Sequence, residues 1–163
     1  MMTLYAIWLS AARGHTGREV MKMNEIDLIS HVYQTAEMGR EGIRSVRKYA
    51  GDPRLTQALD RQEREYRDLQ SAAGGMLRDR GVRPEGVGTM ARLSSEAMSA
   101  MKLMTDRSSA KIAEMMIQGS TMGVTKSLRT IRDCGVRDER VRDLADKLLK
   151  TEESNIREMK GFL

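Results

Sequence analysis

The chain is short of almost everything that builds proteins other than helices. Its 163 residues include two prolines, one cysteine, two histidines and one tryptophan, and aromatics make up 4%. A lone Cys134 excludes an internal disulfide and fits a reduced, cytoplasmic compartment. No run of about 18 apolar residues occurs, so no segment reads as a membrane span. Alternating apolar and polar residues are equally scarce, which argues against strands. Chemistry is thin as well. The chain has no glycine-rich phosphate loop after a strand, no Cys/His metal spacing, and no Ser or Cys nucleophile with a histidine base.

What is present suits helices packed on aliphatic and thioether side chains: Met, Leu, Ala, Arg and Glu dominate, with fourteen methionines. The net charge is +5, carried mostly by arginine, which bears on solubility and anion attraction rather than on fold. The length suits one domain with a real core.

Residues 1–22 differ from the rest. Tyr5-Ala6-Ile7-Trp8-Leu9 is a short apolar patch without a preceding basic residue, and Arg13-Gly14-His15-Thr16-Gly17 has no period. Arg18-Glu19-Val20 back-translates to a purine-rich, ribosome-binding stretch ahead of Met21 and Met23. The expected division is therefore a non-core leader over 1–22, arising from a misplaced start, and a helical domain over 23–163.

From Asn24 the apolar residues recur at helical spacing. A first helix is predicted over about 24–50, on Ile29, Val32, Ala36, Gly39, Ile43 and Val46. Gly51-Asp52-Pro53 stops it and starts a second over about 53–80, with Asp as N-cap and Pro at the first helical position. That helix buries Leu55, Leu59, Gln62, Tyr66, Leu69 and Leu77, and its Gly74-Gly75 pair permits close packing. A shorter helix over 88–104, on Met90, Leu93, Ala97, Met101 and Met104, would cover about 25 Å of a long connection. A third long helix follows over about 107–134, with Met116, Ser120, Gly123, Ser127 and Ile131 inward. The last starts near Asp138-Glu139 and runs to about Lys160. The two hairpins echo each other: Ala36-Glu37-Met38-Gly39 answers Ser120-Thr121-Met122-Gly123, and Ile43-Arg44-Ser45-Val46-Arg47 answers Leu128-Arg129-Thr130-Ile131-Arg132. The pattern predicts an all-α four-helix bundle of two antiparallel hairpins joined by a long crossover containing an extra helix.

On Gly39-Arg40-Glu41-Gly42-Ile43, Asp52-Pro53-Arg54-Leu55 and the crossover, residues 24–161 resemble small bacterial ferritin-like domains of uncharacterised function. The resemblance implies a ferritin-like fold. It also implies a place where related enzymes hold two irons, using a Glu from two helices and Glu-x-x-His from the other two.

That donor set is mostly missing. Glu37 and Glu41 lie more than about 100° from the centre of their stripe. Glu63 is off its stripe, Glu65 flanks it, and Gln62 holds the centre. The third helix offers Gly119 and Ser120, and Glu114 points away. The fourth keeps Glu152-x-x-Asn155, with Asn where a His would sit; His15 and His31 are both misplaced for the task. Catalytic and metal-ligating residues are therefore expected to be none. Iron, as oxidoreductase or storage chemistry, is the alternative.

Glu152 nevertheless interrupts the apolar stripe Val141, Leu144, Leu148, Met159, and a buried carboxylate needs a partner. A polar core layer is expected around it, from Gln62, Tyr66, Ser120, Thr151 and Asn155, with Arg40 supplying positive charge. Gly39 and Gly123, in matching phase, are expected to let the first and third helices approach closely. Met98, Met101 and Met104 offer a dimer or partner surface. Basic residues near the helix C-termini, such as Arg44, Arg47, Arg129 and Arg132, complement the helix dipoles, and without a contiguous basic stripe nucleic acid is not an expected partner. The function expected is a structural or protein-interaction module, as a homodimer or homo-oligomer or with a protein partner.

Overall fold

A computed structural model of the chain describes residues 17–86 and 106–163, with side chains from Asn24 onward. Four long helices make it up: α1 (Gly17–Arg47), α2 (Pro53–Asp79), α3 (Ser109–Cys134) and α4 (Glu139–Met159), followed by a 3-10 turn over Lys160–Phe162. No strand occurs among the described residues.

Local chemistry sets the ends. Asp52 accepts a hydrogen bond from the Arg54 amide at 2.8 Å, and Pro53 opens α2. Ser108 caps α3 through the Lys111 amide at 3.2 Å, and Asp138 caps α4 through the Arg140 amide at 2.9 Å. Gly135 ends α3 at φ 56°, a left-handed conformation that costs a residue without a β-carbon little. The Asn24 side chain donates to the Cys134 carbonyl at 2.8 Å, so the start of α1 closes the end of α3. At two ends the helices depart from expectation. Helix α1 begins at Gly17, inside the segment assigned to the leader, where Arg18, Glu19, Met21 and Lys22 are good helix formers. It stops at Arg47, because Tyr49 and Ala50 bond back three residues, to Val46 and Arg47, and tighten the chain into a turn. Residues 1–16 lie outside the described part.

Contacts between helices fix the connectivity. The ends of α1 meet the opposite ends of α3: Asn24 reaches Cys134, and the Arg107 guanidinium stacks on the Tyr49 ring 4.4 Å from its centroid. Helices α2 and α4 are antiparallel too, since Tyr66 bonds Glu152 while Arg80, at the end of α2, bonds Asp138 at the start of α4. The end of α2 and the start of α3 thus lie at opposite ends of the bundle. The chain between them must climb its length, about 39 Å for a helix the size of α3. This is the crossover connectivity of a ferritin-like bundle. The helix predicted over 88–104, with Met98, Met101 and Met104, falls outside the described residues.

The core is aliphatic, built from side chains such as Ile29, Ile43, Leu59, Ile112 and Leu148, all fully buried. Each contributes about 1.5–3 kcal/mol. Of the glycine pair expected to permit close packing, Gly74 does so, with the Tyr33 ring 3.3 Å from where its β-carbon would be, whereas a β-carbon on Gly75 would meet nothing within 4 Å. Near the far end of the bundle, Arg80 bonds Glu25 at 3.2 Å and Asp138 at 3.1 Å, tying α1, α2 and α4 together.

Candidate functional site

Helix α4 buries Val141, Leu144, Leu148, Glu152, Asn155 and Met159 along one stripe, which carries the Glu152 side chain into the middle of the bundle at 2% exposure. Across the seam, the α2 stripe brings in Tyr66 one turn beyond Gln62, both 1% exposed. The Tyr66 hydroxyl donates to Glu152 Oε2 at 2.8 Å and lies 3.5 Å from Ser120 Oγ of α3. Three helices therefore meet on one carboxyl group.

Two glycines make the room. A β-carbon on Gly39 would sit 2.6 Å from the Tyr66 ring, and one on Gly123 would sit 2.7 Å from Glu152 Oε1. Gly39 is thus a notch for the side chain of α2, and Gly123 a notch for the side chain of α4. The pair is expected to serve the approach of the first and third helices; the atoms nearest each glycine come instead from its own hairpin partner. Helical phase gives their angle from the stripe but not the side on which the hairpin partner lies.

Arg40 is a second correction. It donates to Gln70 at 2.6 Å, along the α1–α2 seam, and its Nε has no protein partner. No ion pair links it to Glu152, and the carboxyl is accommodated differently. Burial pushes Glu152 up to about 7 from an ordinary 4.5, while the hydrogen bonds from Ser120 and Tyr66 pull the other way. Near neutral pH the group is divided between its acid and its anion. Burial, followed by the charge of Glu152, holds the Tyr66 hydroxyl far above its usual range, so it stays a donor.

Asn155 is 2% exposed and stands in the same seam, whereas Thr151, one position off the stripe, is only half-buried. Gln62 donates to Glu158 Oε2 at 2.8 Å, and Arg61 bonds the other Glu158 oxygen. Sequence reasoning misses Glu158, which lies one turn past Asn155 and is within reach of that spacing. It also sets His31 aside, yet His31 Nε2 lies 2.9 Å from Ser127 Oγ, joining α1 to α3. Burial first, and then the nearby Lys126 charge, lower its pKa. The clue is Ser127, an inward polar residue in need of a partner.

No protein-family model and no curated protein matches the chain. Among solved structures it is similar to one described as a DUF305 fragment from Deinococcus radiodurans. The TM-score is 0.68 at 19% identity, over 85% of this chain and 93% of that one. The likeness shows the fold. At that identity it carries no function across.

A di-iron centre does not fit these residues. Among the described residues no three His, Cys, Asp or Glu side chains are grouped to hold a metal ion. The Tyr66 ring and the Glu152 carboxyl occupy the notches that Gly39 and Gly123 open, and Asn155 presents an amide where the enzyme pattern has an imidazole. The layer holds one titratable carboxyl, Glu152, with the Tyr66 and Ser120 hydroxyls on it.

Proposed function

We propose that the chain is a member of the ferritin-like superfamily whose central layer serves structure, and that it works as a non-catalytic structural or protein-interaction module. The observation that carries this reading is the bond from Tyr66 to Glu152. The protein's own hydroxyl takes one carboxylate oxygen, Oε2, where a metal would otherwise sit, and the two glycines are matched to that arrangement. A polar layer of this kind sets the register of helices more than it adds stability. In this reading the protein is cytoplasmic and acts as a homodimer or with a protein partner. Among the described residues no helix is long and apolar enough to cross a membrane. Nucleic acid is not a partner in this reading, since Arg44 pairs with Glu41 and Glu63, Arg47 with Asp60, and Arg132 with Asp133.

Aerobic loading with ferrous iron, followed by metal analysis, tests the proposal. The expected result is iron well below one per chain and no ferroxidase absorbance. Stoichiometric iron with such a signal would overturn it in favour of an iron oxidoreductase or storage protein. Light scattering across a concentration series tests the assembly: a homodimer gives twice the monomer mass, and a monomer throughout leaves only a different protein as partner.

A further inference from the structure

The α2–α4 seam holds two polar atoms that the protein leaves unpaired. Gln62 Oε1 and Asn155 Nδ2 have no protein partner in hydrogen-bond geometry, although their residues are 1% and 2% exposed. The Asn155 amide is turned toward the Tyr66 hydroxyl, whose pKa it lowers, and that contact takes at most one of its two hydrogens. They belong to one place. The helices are antiparallel, and the Tyr66–Glu152 and Gln62–Glu158 bonds, both 2.8 Å, bracket Asn155 between them. One atom is an acceptor and the other a donor, and they do not bond each other. Turning the Gln62 amide over would set its oxygen against the Glu158 carboxylate and forfeit that bond, so its orientation is fixed by chemistry. Turning Asn155 over would leave two acceptors in the seam in place of an acceptor and a donor.

We infer that one water molecule is bound in this seam, donating to Gln62 Oε1 and accepting from Asn155 Nδ2. A cation does not suit a place into which the Asn155 amide directs its hydrogens, and an anion does not suit the Gln62 oxygen. A ligand that both donates and accepts suits both, and water is the smallest such molecule, which a place between residues as deeply buried as Gln62 and Asn155 requires. The bridge makes the seam polar without interruption from Ser120 and Glu152 in the interior to Glu158 at the surface. Buried polar groups are paired as a rule, and water is the usual partner where side chains fall short.

Solution NMR on the full chain labelled with nitrogen-15 tests this without any variant. The Asn155 side-chain amide protons are expected to show a cross-peak to a long-lived water, and a high-resolution crystal structure to show a water about 3 Å from both atoms. Gln62→Met, close in volume, removes the acceptor and should abolish the water cross-peak while the Tyr66–Glu152 bond persists. A direct Gln62–Asn155 bond in the parent, or an Asn155 amide without any water contact, overturns the inference. So does a Gln62→Met protein whose water cross-peak is unchanged. If that variant fails to fold, the parent measurements decide alone.

Discussion

The hairpins α1–α2 and α3–α4 share one plan and differ in what fills it. Each has a glycine at the same phase of its first helix, and each uses the gap to seat a side chain from its second. In α1–α2 that side chain is the Tyr66 ring; in α3–α4 it is the Glu152 carboxyl. The two occupants then bond each other across the bundle at 2.8 Å. A repeated backbone feature has thus been given complementary chemistry: a donor that stays protonated on one side, and a titratable acceptor on the other. The first hairpin holds a rigid apolar wall and should tolerate nothing at its notch. The second holds the flexible end of a side chain, and its behaviour should change with pH.

The largest effect is expected at the rigid notch. A β-carbon at Gly39 already meets three Tyr66 ring atoms between 2.6 and 2.8 Å, and the ring is fully buried. Gly39→Leu should therefore cost about 3 kcal/mol, at the upper end of overpacking. Even Gly39→Ala should lose the helix-propensity gain that alanine normally brings. Urea unfolding monitored by circular dichroism reads both, and a Gly39→Leu midpoint equal to the parent's would show that Tyr66 does not fill that notch.

Almost as large is the pH response of the other hairpin. The Glu152 pKa is raised by folding, so its neutral form is favoured in the native state. Its contribution is fully present below 4.5 and is lost as pH rises through about 7. That separation corresponds to about 3 kcal/mol. His31 works in the opposite sense, because its lowered pKa removes stability as pH falls below 6.5. The comparison with Glu152→Gln isolates the carboxyl. The two proteins should be nearly equally stable at pH 4.5, and the variant should be the more stable by up to about 3 kcal/mol at pH 8. Parallel stability curves across that range would mean that Glu152 titrates as an exposed group.

Tyr66→Phe breaks the bond that joins the hairpins while keeping the ring that fills the Gly39 notch. The expected cost is about 2 kcal/mol above pH 7, where Glu152 is charged and loses its donor, and nearer 1 kcal/mol below 4.5. Denaturation at the two pH values checks it. A cost independent of pH would assign the hydroxyl to Ser120 rather than to the carboxylate.

Much of this arrangement is legible in the amino-acid pattern. The four helices and their crossover follow from apolar stripes, from Asp52-Pro53 and Gly135 as punctuation, and from a connection too long for a turn. Glu152 and Asn155 stand out because a carboxylate and an amide occupy positions where the stripe asks for Leu or Met. Partners are not legible, for a physical reason. A residue's phase on a helix gives its angle from the core direction, but the handedness of the bundle decides which neighbour lies on that side. Hence phase alone matches Gly39 and Gly123 to each other's helices rather than to their hairpin partners. Charge alone matches Arg40 to Glu152, while the fold gives Arg40 to Gln70 and satisfies the carboxyl by raising its pKa. The Gln62–Glu158 bond lies half outside the stripe, and only the three-residue step from Asn155 to Glu158 points to it.

The smallest effect separates the two notches most cleanly. In the parent, Gly123→Ala places a methyl group 2.7 Å from Glu152 Oε1 and 2.9 Å from its carboxyl carbon. The carboxyl must move, and its bond to Tyr66 lengthens or breaks, so the substitution should destabilise. Glu152→Ala removes all three of the atoms nearest the methyl group. Gly123 is helical with no positive φ, and alanine in a helix interior is better than glycine by about 0.5–1 kcal/mol. In that background Gly123→Ala should therefore stabilise by roughly this amount, a reversal of sign that a double-mutant cycle reads directly. The same cycle at Gly39 with Tyr66→Phe should show no reversal, because the ring remains. Equal costs for Gly123→Ala in both backgrounds would mean that Glu152 is not what fills the second notch, and the likeness between the hairpins would reduce to a coincidence of glycine spacing.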